Sequence, residues 1–359
     1  MKMTDDNSIT EVARRTRRRR TGVAVKKPTV ADIARAAGVS TATVSRALNK
    51  PDAVSAKLRK KVARKVRELG YVPSGAARAL ASNRSFTIGT VIPTLNNAIF
   101  AASVDAFEET LSRHGYTLLV TVSNYDPPHE IEQVRRLLER GVDGLMLIGL
   151  DHPDEVWQMI ERSACPAVAI WGHDDNPRVP CIGFDNAAAA EHAVDHLVEL
   201  GHRRIGMVAG LSLGNDRARA RRAGVERGLA KHGLPVDPGL FTEKAYSHDY
   251  GRDGLTELLS HGASPTAIMC GNDVLAMGVM FEARDRGIAI PDDLSVIGFD
   301  NLPITSQLRP ALTTIEVPSV PIGIASASAI VAHLTEGSPI QSKSFPAPFV
   351  MRETTQAVR

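Results

Sequence analysis

The 359-residue chain is poor in several things that would have narrowed its chemistry quickly. It has three cysteines, Cys165, Cys181 and Cys270, an odd number at wide spacing. They support neither a disulfide framework nor a zinc site and fit a reducing compartment. No apolar run approaches the ~18 residues of a membrane-spanning helix; the longest, from Gly144 to Leu150, is expected to be a buried strand. Aromatic residues make up 4% of the chain, and the net charge is +3. Hydrophobic and charged fractions of 43% and 23% exclude a wholly disordered, collagenous or coiled-coil chain and leave an ordinary soluble protein of two or three domains.

The near-neutral total conceals a separation of charge. Residues 1–84 hold 21 Lys and Arg against 6 Asp and Glu, a net of +15, whereas residues 85–359 hold 22 against 34, a net of −12. A basic segment on an acidic body is the pattern of a polyanion-binding module joined to a part with another task. Within it, residues 1–27 cluster arginines without apolar periodicity and are expected to be a disordered basic arm. Thr21 to Val25 is too short for the apolar core of a secretion signal, so a cytoplasmic location is expected.

Residues 28–73 predict three helices. Thr29 and Asp32 form a capping-box pattern, and Val30, Ile33, Ala34 and Ala37 follow at helical spacing. Gly38 allows a tight turn, and Ser40 can cap a second helix in which Val44, Ala47 and Leu48 point inward, with Ala42 and Arg46 opposite. A third helix follows Ser55, with Leu58, Val62, Val66 and Leu69 inside and Lys57, Lys60, Lys61, Arg64 and Lys65 outside. Two short helices joined by a glycine turn and braced by a third make a helix-turn-helix headpiece.

The run TVADIARAAGVSTATVSRALNKPDAVSAKLRKKVARKVRELGYVPS, and above all GVSTATVSRALN from Gly38 to Asn49, resembles the DNA-binding headpiece of the LacI/GalR family of bacterial transcriptional regulators. The similarity runs from Pro28 almost to the C-terminus. It implies that Thr41, Ala42 and Arg46 face base edges in the major groove, while Thr29, Thr43, Ser45, Asn49 and Ser55 hold phosphates. Arginine can make a bidentate contact to guanine, and an alanine methyl can meet a thymine methyl. Residues 74–84 then form a hinge, in which SGAARALA is too short for a stable helix alone and is expected to fold when two copies meet on an operator. The resemblance places Leu80 as the wedge in the minor groove.

Residues 85–359 predict an α/β core. Apolar runs of strand length at Thr87–Ile92, Thr117–Val122, Gly144–Ile148 and Ala167–Trp171, then at Arg204–Val208, Thr266–Cys270, Ser295–Gly298 and Thr313–Val317, alternate with amphipathic helices. The pattern nearly repeats, so the expectation is two doubly wound parallel-sheet subdomains with a cleft at the strand carboxyl ends, a periplasmic-binding-protein-like architecture. The resemblance divides it into an N-subdomain of about 86–184 plus 319–346 and a C-subdomain of about 185–318 plus 347–357.

Residues matching effector-contacting positions of the family are Phe100, Asn124, Trp171, Arg219, Arg221, Tyr246, Asn272 and Asp300. Flat aromatic faces with carboxylate, amide and guanidinium groups suit a sugar-like ligand. Asn272 and Asp300 also have the chemistry of helix caps. The run Arg217-Ala-Arg219-Ala-Arg221-Arg222 opens a helix, where cations are disfavoured, which points to an anionic effector such as a sugar acid or phosphate.

The expected protein is a homodimeric, operator-binding transcriptional regulator, a repressor controlled by a small-molecule effector, with a pseudopalindromic site and no cofactor, metal, membrane or catalytic role. One alternative is a small-molecule receptor without a DNA role. Another is an α/β hydrolase, because Gly210-Leu-Ser212-Leu-Gly214 spells a nucleophile-elbow pattern, although no HGGG-like oxyanion segment accompanies it. His192 and His196 stand four apart without the glutamate that makes such a pair a catalytic zinc motif.

Overall fold

A computed structural model describes residues 27–49, 51–73, 75, 79, 82, 84–96, 98–260 and 264–358. The chain separates into two units, with the division between residues 81 and 82. The basic arm up to residue 26 and Leu80 lie outside the described residues, as does most of the expected hinge helix.

The first unit is a three-helix headpiece of α1 (Val30–Ala37), α2 (Thr41–Asn49) and α3 (Ala56–Glu68). The capping box at α1 is formed: the Asp32 amide donates to Thr29 Oγ1 (3.3 Å) and the Thr29 amide to Asp32 Oδ2 (2.9 Å). Gly38 ends the helix at φ 61°, a conformation that costs glycine nothing. Ser40 Oγ accepts from the Thr43 amide (3.1 Å) and Ser55 Oγ from the Leu58 amide (3.4 Å), so both serines start helices. Ile33, Ala34, Ala37, Val44, Ala47 and Val62 form the buried centre. Leu69, expected inside, caps α3 and is 40% exposed, because the helix ends one residue earlier.

The second unit carries the expected two doubly wound sheets. The first contains β1 (Thr87–Ile92), β2 (Thr117–Val122), β3 (Gly144–Ile148), β4 (Ala167–Ile170), β5 (Cys181–Gly183) and β11 (Lys343–Ser344), in spatial order β11-β5-β4-β3-β1-β2. The second contains β6 (Ile205–Gly210), β7 (Phe241–Lys244), β8 (Ala267–Cys270) and β9 (Ser295–Ile297), in order β7-β6-β8-β9. Every pairing in these two sheets is parallel. In each, the first strand pairs on both sides, β1 with β2 and β3, and β6 with β7 and β8. The strand order therefore reverses at β1/β3 and at β6/β8, and both switch points open a crevice at the strand carboxyl ends.

The connecting helices are α4 (Ala101–Arg113), α5 (Pro127–Glu139), α6 (Asp154–Ser163), α7 (Asn186–Glu199), α8 (Asp216–Lys231), α9 (His248–Ser260), α10 (Asp273–Asp285) and α11 (Ser319–Glu336). The chain passes back to the first half through α11, which packs on α4 so closely that a Cβ on Gly323 would meet the Ser103 carbonyl. It then returns to the second half through β12 (Phe349–Val350), antiparallel to β10 (Thr314–Ile315).

Several strand boundaries differ from expectation. Ala167–Trp171 stops at Ile170, because Trp171 turns to φ 71°. Arg204–Val208 is shifted to Ile205–Gly210, and Thr313–Val317 shrinks to two residues flanked by single bridges, since this segment crosses between halves.

Candidate nucleic-acid interface and effector cleft

On the headpiece, the burial pattern of α2 fixes which face is presented. Val44 and Ala47 are buried, whereas Thr41, Ala42, Ser45 and Arg46 are exposed. Thr43 is half-buried and its hydroxyl lies 2.8 Å from Ser40 Oγ, so it braces the helix start. Thr29 and Ser55 serve as caps, a role compatible with exposure to a phosphate. Asn49 closes α2, and its side chain lies outside what is described. The outer surface of α3 exposes Lys57, Lys60, Lys61 and Arg64.

In the core, the expected effector residues fall into three groups. Arg221, Asn272 and Asp300 are buried together at the floor of the cleft, 4%, 1% and 8% exposed. Arg221 lies 3.6 Å over the Phe299 ring, donates through Nε to Asn186 Oδ1 (2.9 Å) and through Nη1 to the Gly271 carbonyl (2.6 Å), and sends Nη2 to within 3.6 Å of Asp300 Oδ1. Asn272 caps α10 by accepting from the Leu275 amide (2.9 Å). Among the described residues, its Nδ2 and both Asp300 carboxylate oxygens have no hydrogen-bond partner. Such orphans inside a protein are costly and mark a place that a ligand can satisfy.

Burial pushes the Asp300 carboxyl well above its ordinary range, against the pull of Arg221 and with the help of Asp273. Burial also raises Asp273, to about 6, although Thr314 Oγ1 (2.6 Å) and the Leu302 amide (2.7 Å) donate to it. Two carboxyls so close to one arginine resist ionising together.

Phe100 and Trp171 form the second group, an edge-to-face pair with centroids 4.9 Å apart; the indole N–H donates to Ser103 Oγ (3.1 Å). Phe100 also backs a groove of about 900 Å³ on the outer face of α4 and β2, lined by Leu95, Val104 and Val120. Tyr246, in the third group, accepts from Asn215 Nδ2 (3.2 Å) and faces Tyr125 with ring centroids 6.3 Å apart. Asn124 sits exposed in the turn before Tyr125.

Arg219 is not in the floor. It is exposed at the rim, where Nη2 pairs with Asp151 Oδ2 (2.8 Å). The inward residue of that turn is Arg217, 5% exposed, which the candidate set lacks. Arg217 and Arg221 stand four apart and share the buried stripe of α8, which the neighbouring arginines obscure in the sequence. Arg217 pairs with Asp216 (2.7 Å), and Arg222 with Glu226 (2.9 Å) and Glu243 (3.0 Å). The cationic misfit at the helix start is thus met inside the protein, and the case it made for an anionic effector falls away.

The hydrolase pattern finds another use. Ser212 Oγ donates to Glu243 Oε1 (2.5 Å) and its amide to Oε2 (3.2 Å), so the serine ties its loop to β7. His192 and His196 pack against the Phe349 ring, and His196 Nε2 lies 3.2 Å from Thr355 Oγ1. Among the described residues, no group of three His, Cys, Asp or Glu side chains could hold a metal ion, and no helix is long and apolar enough to cross a membrane.

A helix-turn-helix unit joined to a pair of doubly wound halves with orphaned polar groups in their cleft defines a class, the ligand-responsive DNA-binding regulators. Comparison with known proteins agrees. Residues 29–74 match the model of bacterial regulatory proteins of the lacI family, and residues 85–353 match that of periplasmic binding proteins and the sugar binding domain of the LacI family. The chain is 34% identical over 333 residues to the HTH-type transcriptional regulator GntR of Pseudomonas aeruginosa, covering 92% of this chain and 96% of that protein. Among solved structures, the Lac repressor dimer bound to operator and the anti-inducer ONPF superposes with a TM-score of 0.81 at 30% identity, covering 92% of this chain and all of that one. The cellobiose complex of the regulator CelR superposes with a TM-score of 0.68 at 26% identity, covering 91% of this chain and all of that one. The chain belongs to the LacI family. It is a DNA-binding transcriptional regulator with a core for a small-molecule effector, and its relatives are regulators, not enzymes.

Proposed function

We propose that this regulator is a homodimeric, cytoplasmic repressor that reads a pseudopalindromic operator through Thr41, Ala42 and Arg46, with Thr29, Thr43, Ser45, Asn49 and Ser55 on phosphates and Leu80 as the minor-groove wedge. It has no catalytic role. Its effector is a neutral sugar or sugar-like polyol bound on Arg221, Asn272 and Asp300, with Tyr246 and Trp171 as apolar walls. The N-subdomain comprises about 86–184 plus 319–346, and the C-subdomain about 185–318 plus 347–357. The observation that carries the effector class is the trio of orphaned atoms in the floor: the Asp300 carboxyl group exchanges hydrogen bonds with hydroxyls, and Asn272 Nδ2 donates to one. The apolar groove with Leu95 and Val120, 70% and 41% exposed, is the face that the second copy covers.

The test has two stages. Selection from randomised duplexes should return a two-fold symmetric site. A thermal-shift screen of hexoses, pentoses, nucleosides, sugar acids and sugar phosphates should then give a neutral hit that Asp300→Asn abolishes. Tight binding of a sugar acid or phosphate, with none of the neutral parent, would overturn the effector class.

A further inference from the structure

The floor residues are sealed from solvent, yet two cavities of about 300 and 510 Å³ open in the cleft, and both are lined by Arg217 and Asp151. What divides them is a set of direct bonds between the halves. From the second half, Asp216 Oδ2 accepts the Leu150 amide (3.0 Å), and Arg217 Nη1 donates to the Ile148 carbonyl (3.1 Å) while pairing with Asp216 Oδ1 (2.7 Å). Arg219 adds its rim pair with Asp151. Three residues of one helical turn thus grip Ile148, Leu150 and Asp151 at the carboxyl end of β3, the switch point of the opposite sheet. The fit is tight: at Gly149, φ 90°, any Cβ would collide with the Arg217 guanidinium.

A second contact closes the same seam. Asn124 and Tyr125 occupy the left-handed region in succession, φ 57° and 56°, in a turn whose ends are joined by the Asp126 amide and the Ser123 carbonyl (3.0 Å). An aromatic residue there is strained and persists when its surroundings impose it. The turn delivers the Tyr125 ring across the cleft to Tyr246. None of these bonds needs a ligand.

We propose that Asp216 and Arg217, seconded by Tyr125, form a latch that holds the two halves closed over the Arg221–Asn272–Asp300 floor and must release before a ligand reaches it. The gating role rests on the floor being the effector site; the latch itself does not, and the two are tested separately. Asp216 and Arg217 are positioning residues here, holding the wall through which a ligand enters.

Hydrogen exchange of the ligand-free full chain tests the latch. In Asp216→Ala, and independently in Gly149→Ala, amides of the segment spanning Leu150 should exchange about tenfold faster, with β6 and β8 unchanged. Unchanged exchange at Leu150, or an equal rise across β6 and β8, overturns the latch. Carbodiimide coupling of glycinamide to Asp300, read by mass spectrometry, tests the gate. Labelling should accelerate about tenfold in Asp216→Ala and stay at the parental rate in Arg222→Ala, which lies outside the seam. Faster exchange at Leu150 without faster labelling of Asp300 would uphold the latch and overturn the gate.

Discussion

Arg46 stands on the exposed face of α2, opposite Val44 and Ala47, where its guanidinium is free of the packing that fixes the helix. Arg46→Ala should therefore leave the headpiece folded and lower affinity for the selected operator by ~1–3 kcal/mol, with specificity relaxed at one base. Competition against variants of that base measures both effects. Asp273 supports a prediction in pH. Its carboxyl titrates near 6 in the folded protein against an ordinary value of 3.8, so the fold binds its proton more tightly than the unfolded chain does. Its contribution to stability is complete below the unfolded value and is lost as pH rises through about 6. Asp273→Asn lacks this titration, so Tm of the variant minus Tm of the parent should rise between pH 4 and 7. A flat difference would contradict the buried proton. The same scale shows what the chain conceals: Arg217 could not be told from Arg219 by residue type, because four arginines within six positions leave the phase of α8 undetermined until packing sets it.

At the scale of elements, the capping box of α1 was legible as Thr29 and Asp32 three apart, because both partners are local in sequence. Asp32→Ala removes the acceptor for the Thr29 amide and hydroxyl and a favourable charge in the first turn. It should cost about 1 kcal/mol of headpiece stability, measurable as a lower protection of α1 amides in exchange. Strands β1 and β3, inside the first sheet, and β2 at its edge were legible to the residue, since six- and five-residue runs rich in apolar residues have few other uses. The edges were not. Strands β5, β7, β11 and β12 have two to four residues each, and β11 reads Lys343-Ser344, without an apolar side chain. Such strands exist because a neighbouring edge recruits them. Of the cleft, the floor trio was legible through family position, whereas Asp216, Arg217 and Tyr125 serve by contacts 60 or more residues away in sequence, which no local pattern encodes.

At the scale of the whole molecule, the division of charge makes the strongest prediction. The +15 and −12 of residues 1–84 and 85–359 assign DNA affinity to the first part. Binding of the full chain to DNA should weaken steeply with salt, with a log–log slope of about −0.9 per phosphate contact, and residues 85–359 alone should bind no DNA at any salt. Retention of DNA by that fragment in a mobility shift would refute the assignment. The crossing chain has a different consequence, for the order of manufacture. The first sheet is finished by β11, and the second half by β12 and by Thr354, whose hydroxyl donates to the Val296 carbonyl (2.6 Å). Synthesis delivers these pieces long after the headpiece. A ribosome-bound chain therefore owns its DNA-reading unit well before it owns a sensor. A message truncated before codon 343 would make a protein with an intact headpiece and two unfinished halves, unable to answer to its signal.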